Sequence, residues 1–114
     1  MRGLRDRLRD ILAAIGNIEE EVANGRTSFD ADPKNQVWII HHLRIIGEAV
    51  RTCSDQVKEL SPDTPWAQIV RMRHILVHDY FGIDLDEVWN AATKDLPPLK
   101  QIVDGLLETI EEAL

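Results

Sequence analysis

Cysteine is nearly absent from this chain. Cys53 stands alone among 114 residues, which excludes an internal disulfide and any four-cysteine zinc site. It falls on an apolar helical stripe, where it is expected to pack as a small core residue. Proline and glycine are scarce too, at five and six, and they gather in a few places. That leaves room for long helices and little for a loop-rich fold. No apolar run approaches the ~20 residues needed to cross a bilayer, and no secretory signal is visible at the start. The expectation is a soluble, cytoplasmic protein without membrane contact. A glycine-flanked serine, a phosphate-binding glycine loop and a dinucleotide fingerprint are all missing, so no cofactor is expected. Net positive charge is missing as well. A balance of −7 argues against broad, nonspecific binding of nucleic acid.

What is present reads as helix. Hydrophobic residues make up 44% of the chain, enough for one packed core, and the length suits a single domain over residues 1–114. Leu4, Leu8, Ile11, Leu12, Ile15, Ile18 and Val22 recur at helical spacing, and Asn24-Gly25 ends that helix. A short polar loop is expected to about Asp32. Asp32-Pro33 then reads as a cap and first-turn proline. From there to Leu60 only Gly47 interrupts a second, roughly 40 Å helix. Val37, Ile40, Leu43, Ile46, Val50, Cys53, Val57 and Leu60 form its stripe, widened by Trp38, Ile39 and Ile45. An apolar surface on two sides implies a central helix or one carrying a dimer contact. Thr64-Pro65 opens a third helix that stops at Gly82, and Asp84 caps a fourth. Pro97-Pro98 breaks the fourth and opens a fifth, from Leu99 to Leu114. The expected fold is all-α, a bundle of about five mostly antiparallel helices. Trp38, Trp66 and Trp89 take core positions in this reading.

Charge is unevenly spread. Between His41 and Arg51 lie His41, His42, Arg44 and Arg51 against one acid, Glu48. Arg71, Arg73, His74 and His78 form a second basic group that meets no acid until Asp79. The segment from Arg71 to Gly82 thus packs two Arg, two His, an Asp and a Tyr around the end of an apolar helix. Imidazole carries protons near neutral pH, and guanidinium grips phosphate through a fixed fork of donors. Together they suit attack on a phosphodiester without metal. Arg73 and Tyr80 are seven apart and share a helical face, whereas Arg73 and His78 diverge by roughly 140°. They come together only if the helix end distorts or two chains combine, and the latter hints at a site completed by a second copy. Other readings stay open on these residues alone. A His can complement a helix dipole, Arg73 can pair with a surface acid, and Tyr80 and Phe81 can cap the core. His74 and His78, four apart, face one way as zinc ligands would, but no third ligand completes the shell.

Arg73, His78 and Tyr80 spell R-x4-H-x-Y, and His74 supplies the polar residue after the Arg. With "IIGEAV" at Ile45–Val50, "PWAQIVRMRHILVHDYFGID" at Pro65–Asp84 and "VWNAATKDLPPL" at Val88–Leu99, the chain resembles the HepT-type toxins of the HEPN family along nearly its whole length. The resemblance implies a dimerising helical bundle with both signature segments in one cleft. It also implies a metal-independent RNA endonuclease, the toxin of a toxin–antitoxin pair. Arg73 and His78 would be catalytic, Arg73 steadying phosphate charge and His78 moving the proton. The partner would be a minimal nucleotidyltransferase that transfers AMP to Tyr80 and so blocks the cleft. His74, Glu48 and Asp79 are expected as supporting residues, Glu48 holding Arg73 in place. Arg44, Arg51 and Arg71 would wall the cleft against RNA. The alternative within the family is a non-catalytic HEPN dimer that binds a nucleotidyltransferase.

Overall fold

The computed structural model describes residues 3–74 and 84–113, and among these no residue is in a strand. Helix α1 (Leu4–Val22) buries Leu8, Ile11, Ala14, Ile15 and Ile18 on one face, as its spacing predicts. It ends where Gly25 takes φ 89°, a left-handed turn that costs glycine little. The expected polar loop is instead a short helix, α2 (Arg26–Ala31). One apolar side chain explains it: Phe29 is buried and meets the Trp89 ring at 5.3 Å. Arg26 ties this turn down through Asp30 at 2.8 Å and Asp86 at 2.7 Å.

Helix α3 (Pro33–Thr52) starts as expected, with the Asp32 carboxylate accepting from the Lys34 N–H at 2.9 Å. It is the centre of the fold and packs against α1 over most of its length. It does not run to Leu60. The hydroxyl of Thr52 and the thiol of Cys53 both donate to the Ala49 carbonyl, at 2.7 and 3.3 Å. That carbonyl would otherwise accept the Cys53 N–H, which turns to Val50 instead. Side chains competing for a backbone acceptor end a helix without glycine or proline. A separate helix, α4 (Ser54–Leu60), comes next. Cys53 itself is buried, as expected, and burial pushes its thiol pKa up.

The stripe read along this segment is only partly buried. Ile39, Leu43, Ile46 and Val50 are in the core, but Val37 is 59% exposed and Trp38 43%. At 100° per residue, Val37 lies on the far side of the helix from Ile39. Trp38 leans over the edge, its indole N–H donating to the Asn17 carbonyl of α1 at 3.4 Å. It is not the core residue expected. Leu60 is 48% exposed, because the break at Cys53 re-aims α4.

Helix α5 (Trp66–Val70) buries Trp66, whose indole N–H donates to Ser61 at 2.8 Å. It tightens into a 3₁₀ turn over Arg71–Arg73. Residues 75–83, which contain His78, Asp79 and Tyr80, lie outside the described residues. Asp84 caps α6 (Leu85–Asn90) through the Glu87 N–H at 3.1 Å, as expected. The prolines do not then break the chain. A π turn over Ala91–Asp95 leads directly into α7 (Leu96–Glu112). Pro97 and Pro98 have no N–H for the carbonyls four residues back, and the wider turn, closed by Leu96 N–H to Ala91, absorbs the mismatch. α7 runs antiparallel to α1, with Lys100 on Glu19 and Arg9 on Glu111. No described helix is long and apolar enough to cross a membrane.

Gly47 explains how α3 meets the 3₁₀ turn. A Cβ there would stand 2.8 Å from the Arg73 nitrogen and 3.1 Å from the Val70 carbonyl. In contrast, a Cβ at Gly16 or Gly105 meets nothing within 4 Å. Gly16→Ala and Gly105→Ala should therefore stabilise the fold by up to about 1 kcal/mol through helix propensity. Gly47→Ala should lower the melting temperature despite the same gain. Thermal unfolding by circular dichroism decides it, and a Gly47→Ala chain as stable as Gly16→Ala would refute the close-packing account.

Candidate active site

One face of α3 and the end of the 3₁₀ turn build the site. Successive turns of α3 present His41, Arg44 with Ile45, and Glu48. With Arg73 and His74 these residues line an open cavity of about 480 Å³. The backbone contact at Gly47 sets Arg73 beside the next residue, Glu48. Its Nη1 approaches Glu48 Oε2 at 3.4 Å, so the expected support of Arg73 by Glu48 is present in the geometry. Arg51 takes the same carboxylate from the next turn, its Nε 3.1 Å from both oxygens.

The arrangement is electropositive despite the acidic chain. Arg51 by hydrogen bond, reinforced by the charge of Arg73, holds the Glu48 carboxyl below its usual pKa. It therefore stays ionised and stiffens two guanidiniums. Arg44 has no carboxylate partner among the described residues. The Nε of Arg73 is buried and unpaired among them, although the side chain as a whole is 34% exposed. The partly exposed Arg73 guanidinium, oriented by Glu48, and Arg44 beside it in the same cavity are chemistry suited to an oxyanion of phosphate.

Not all the expected site residues meet. Arg44, Glu48, Arg73 and His74 come together around one cavity, and Arg51 joins them through Glu48. Arg71 does not. Two positions from Arg73 along the turn, it projects elsewhere and lines a larger groove of about 670 Å³ with Asp84, Asp86, Glu87 and Asp95. His78, Asp79 and Tyr80 are outside the described residues, as is one member of the His74–His78 pair. No group of three or more described His, Cys, Asp or Glu could hold a metal ion. His41 is a cavity residue to which the sequence alone gave no role. Its signal was there, at i, i+3 and i+7 with Arg44 and Glu48.

Behind this face His42 is 6% exposed, with both ring nitrogens unpaired among the described residues. It packs edge-on to Trp38, with ring centroids 4.4 Å apart, and lies 5.1 Å from the His41 ring. Burial first, and the neighbouring His41 second, lower its pKa.

The fold and the site can be set beside known proteins. The family model described as "Ribonuclease HepT-like" matches residues 11–106. A Thermococcus cleftensis protein named "Probable ribonuclease HepT" is 40% identical over 102 residues, covering 87% of this chain and 91% of the relative. A Methanocaldococcus jannaschii protein named "Putative RNase" is 30% identical over 112 residues, covering 96% of this chain and 92% of the relative. Another from that organism, named "Gamma-glutamylcyclotransferase and putative RNase", is 32% identical over 106 residues, covering 92% of this chain but 48% of the relative. No solved structure matches the chain.

The buried His42 predicts an acid-sensitive fold. Its pKa is depressed in the folded chain, so protonation favours unfolding. Stability is whole above the ordinary value of about 6.5 and falls as pH drops toward the depressed one. Melting temperatures between about pH 7.5 and 5 should therefore fall less steeply for His42→Leu than for wild type. Superimposable acid limbs would show that His42 is not the group responsible.

Proposed function

The chain belongs to the HepT-like ribonuclease family, and from that premise we propose that it is a metal-independent RNA endonuclease, the toxin of a toxin–antitoxin pair, active in the cytoplasm. The observation that carries this reading is the Arg44–Glu48–Arg73 arrangement. It places two guanidiniums at one cavity open to a phosphodiester, that of Arg73 oriented by the Glu48 carboxylate.

RNA carries its own nucleophile in the 2′-hydroxyl. Attack on phosphorus needs that proton removed, a proton delivered to the departing 5′ oxygen, and the negative charge on the phosphate oxygens held. Arg73 and Arg44 meet the last need through charge-assisted hydrogen bonds in a fixed arrangement. His78, five residues beyond Arg73, is the proton carrier, imidazole being the side chain best suited to proton transfer near neutral pH. Two copies of the chain bring their signature segments into one cleft. A minimal nucleotidyltransferase partner transfers AMP from ATP to the Tyr80 oxygen, with pyrophosphate as the leaving group and the phenolic proton released. The added phosphate then competes with RNA for Arg73.

Four measurements test the reading. Arg73→Ala and His78→Ala should each reduce cleavage of single-stranded RNA by about 100-fold or more with the helical circular dichroism unchanged. Losses of only a few-fold would favour a non-catalytic binding module. Cleavage should persist in EDTA, and abolition with rescue by zinc would return the His74–His78 pair as a metal site. Light scattering should give twice the 13.0 kDa chain mass. Tyr80→Phe should stay toxic and resist neutralisation, while mass spectrometry of the co-expressed wild type shows added AMP. Full neutralisation of an unmodified chain would put inhibition down to binding.

A further inference from the structure

Trp38 is the one described tryptophan with much of its ring in solvent, and its position is not accidental to the site. With Pro33, Lys34, Val37 and His41 it lines a shallow, mainly apolar hollow of about 460 Å³. That hollow shares His41 with the cavity of Arg44, Glu48 and Arg73. The two are continuous along the outer face of α3. The indole is held at its edge by the Asn17 carbonyl and below by the buried His42 ring. An exposed indole fixed at both ends offers a flat surface that loses little entropy when something stacks on it.

The charges on this stretch point the same way. The chain has 20 acidic residues, yet none lies between Pro33 and Gly47. In that interval stand Lys34, Trp38, His41 and Arg44, each about one turn from the next. Neither Lys34 nor Arg44 has a carboxylate partner among the described residues. Cation, aromatic, aromatic, cation in a row is the pattern that grips a single nucleic-acid strand, phosphates on the cations and bases on the rings. From Lys34 to Arg44 the helix rises roughly 15 Å, the length of about four stacked nucleotides at ~3.4 Å each.

Resting on the ribonuclease reading, we propose that the outer face of α3 is a substrate track: a base of single-stranded RNA stacks on the Trp38–His41 shelf while Lys34 and Arg44 hold phosphates on either side, leading the strand to Arg73. A second copy of the chain fits this surface less well: its exposed large hydrophobics are Val37 and Trp38, flanked by Lys34 and Arg44, and two copies meeting there would bring like charges together.

The test uses the full-length chain and a 2′-O-methylated octanucleotide, which lacks the attacking hydroxyl and so separates binding from cleavage. Its addition should quench tryptophan fluorescence in the wild type. Trp38→Leu should abolish the quench and weaken binding roughly 10-fold or more, with the light-scattering mass unchanged. Trp38→Phe should restore most of the affinity. Lys34→Ala should weaken binding at low salt and flatten its salt dependence. Three outcomes overturn the proposal: Trp38→Leu binding as tightly as wild type, a quench that survives Trp38→Leu, or loss of binding accompanied by a halved mass. The last would give the surface to a second copy. If the wild type cleaves RNA and Trp38→Leu is indistinguishable from it, the track falls and the ribonuclease reading stands. If the wild type neither binds nor cleaves, both fall.

Discussion

The site depends on one close approach. At Gly47 the α3 backbone comes so near the end of the 3₁₀ turn that a single methyl group would sit 2.8 Å from the Arg73 nitrogen. Backbone against backbone is the stiffest junction two helical segments can make, because no side chain remains to rotate away. The junction leaves the neighbouring side chains little choice. Arg73 leaves the turn beside residue 48, and the carboxylate there catches its guanidinium. The helix then carries Arg44 one turn to one side of that contact and Arg51 one turn to the other. Glycine inside a helix costs about 1 kcal/mol against alanine, and here that cost goes to the close approach that places Arg73 rather than to flexibility.

Electrostatics then turns an acidic chain into an anion site. The Glu48 carboxylate is shared by Arg51 and Arg73 and kept ionised by them, yet it neutralises neither fully. Exposed pairs of this kind add little stability, typically under about 1 kcal/mol. Their use here is orientation: a long, flexible guanidinium is held in one place before any phosphate arrives, so less entropy is lost on binding. Arg44, without a carboxylate, contributes the uncompensated charge. The −7 balance remains on the other surfaces, including the groove where Arg71 stands among Asp84, Asp86, Glu87 and Asp95.

The long amphipathic helices and the caps at Asp32 and Asp84 were legible in the sequence because they arise from local rules, whereas the cap expected of Thr64 is absent, Pro65 standing at the N-cap of α5. α1 comes from apolar spacing, and the starts at Asp32 and Asp84 come from side-chain capping. The Glu48–Arg73 contact was legible from the surrounding segments. What stayed hidden depended on competition or on tertiary contact. Ala49 has one carbonyl, and whether Thr52 and Cys53 or the next backbone N–H takes it is decided by a small difference in energy, not by a breaker residue. α2 exists because Phe29 finds Trp89, sixty residues away. Pro97-Pro98 has the look of a stop, but a helix can widen by one residue and continue. The apolar period puts Trp38 in the core, and a period cannot tell a buried face from its edge. Nearness in sequence groups Arg71 with Arg73, although a two-residue step turns a side chain about 240° around a 3₁₀ turn.

The narrowness of the positive surface carries the last consequence. Lys34, His41 and Arg44 occupy one stripe of one helix, about one side chain wide. A duplex presents two rows of phosphate and buries its bases, so such a stripe meets only one row and no base face. A single strand can lay its phosphates on the cations and turn a base onto the indole. A broad basic surface would bind both forms through counterion release, with little discrimination. On the proposed track, a protein of net charge −7 would have little of that nonspecific affinity. What remains requires an unpaired base, and the selectivity comes from how little of the surface is positive.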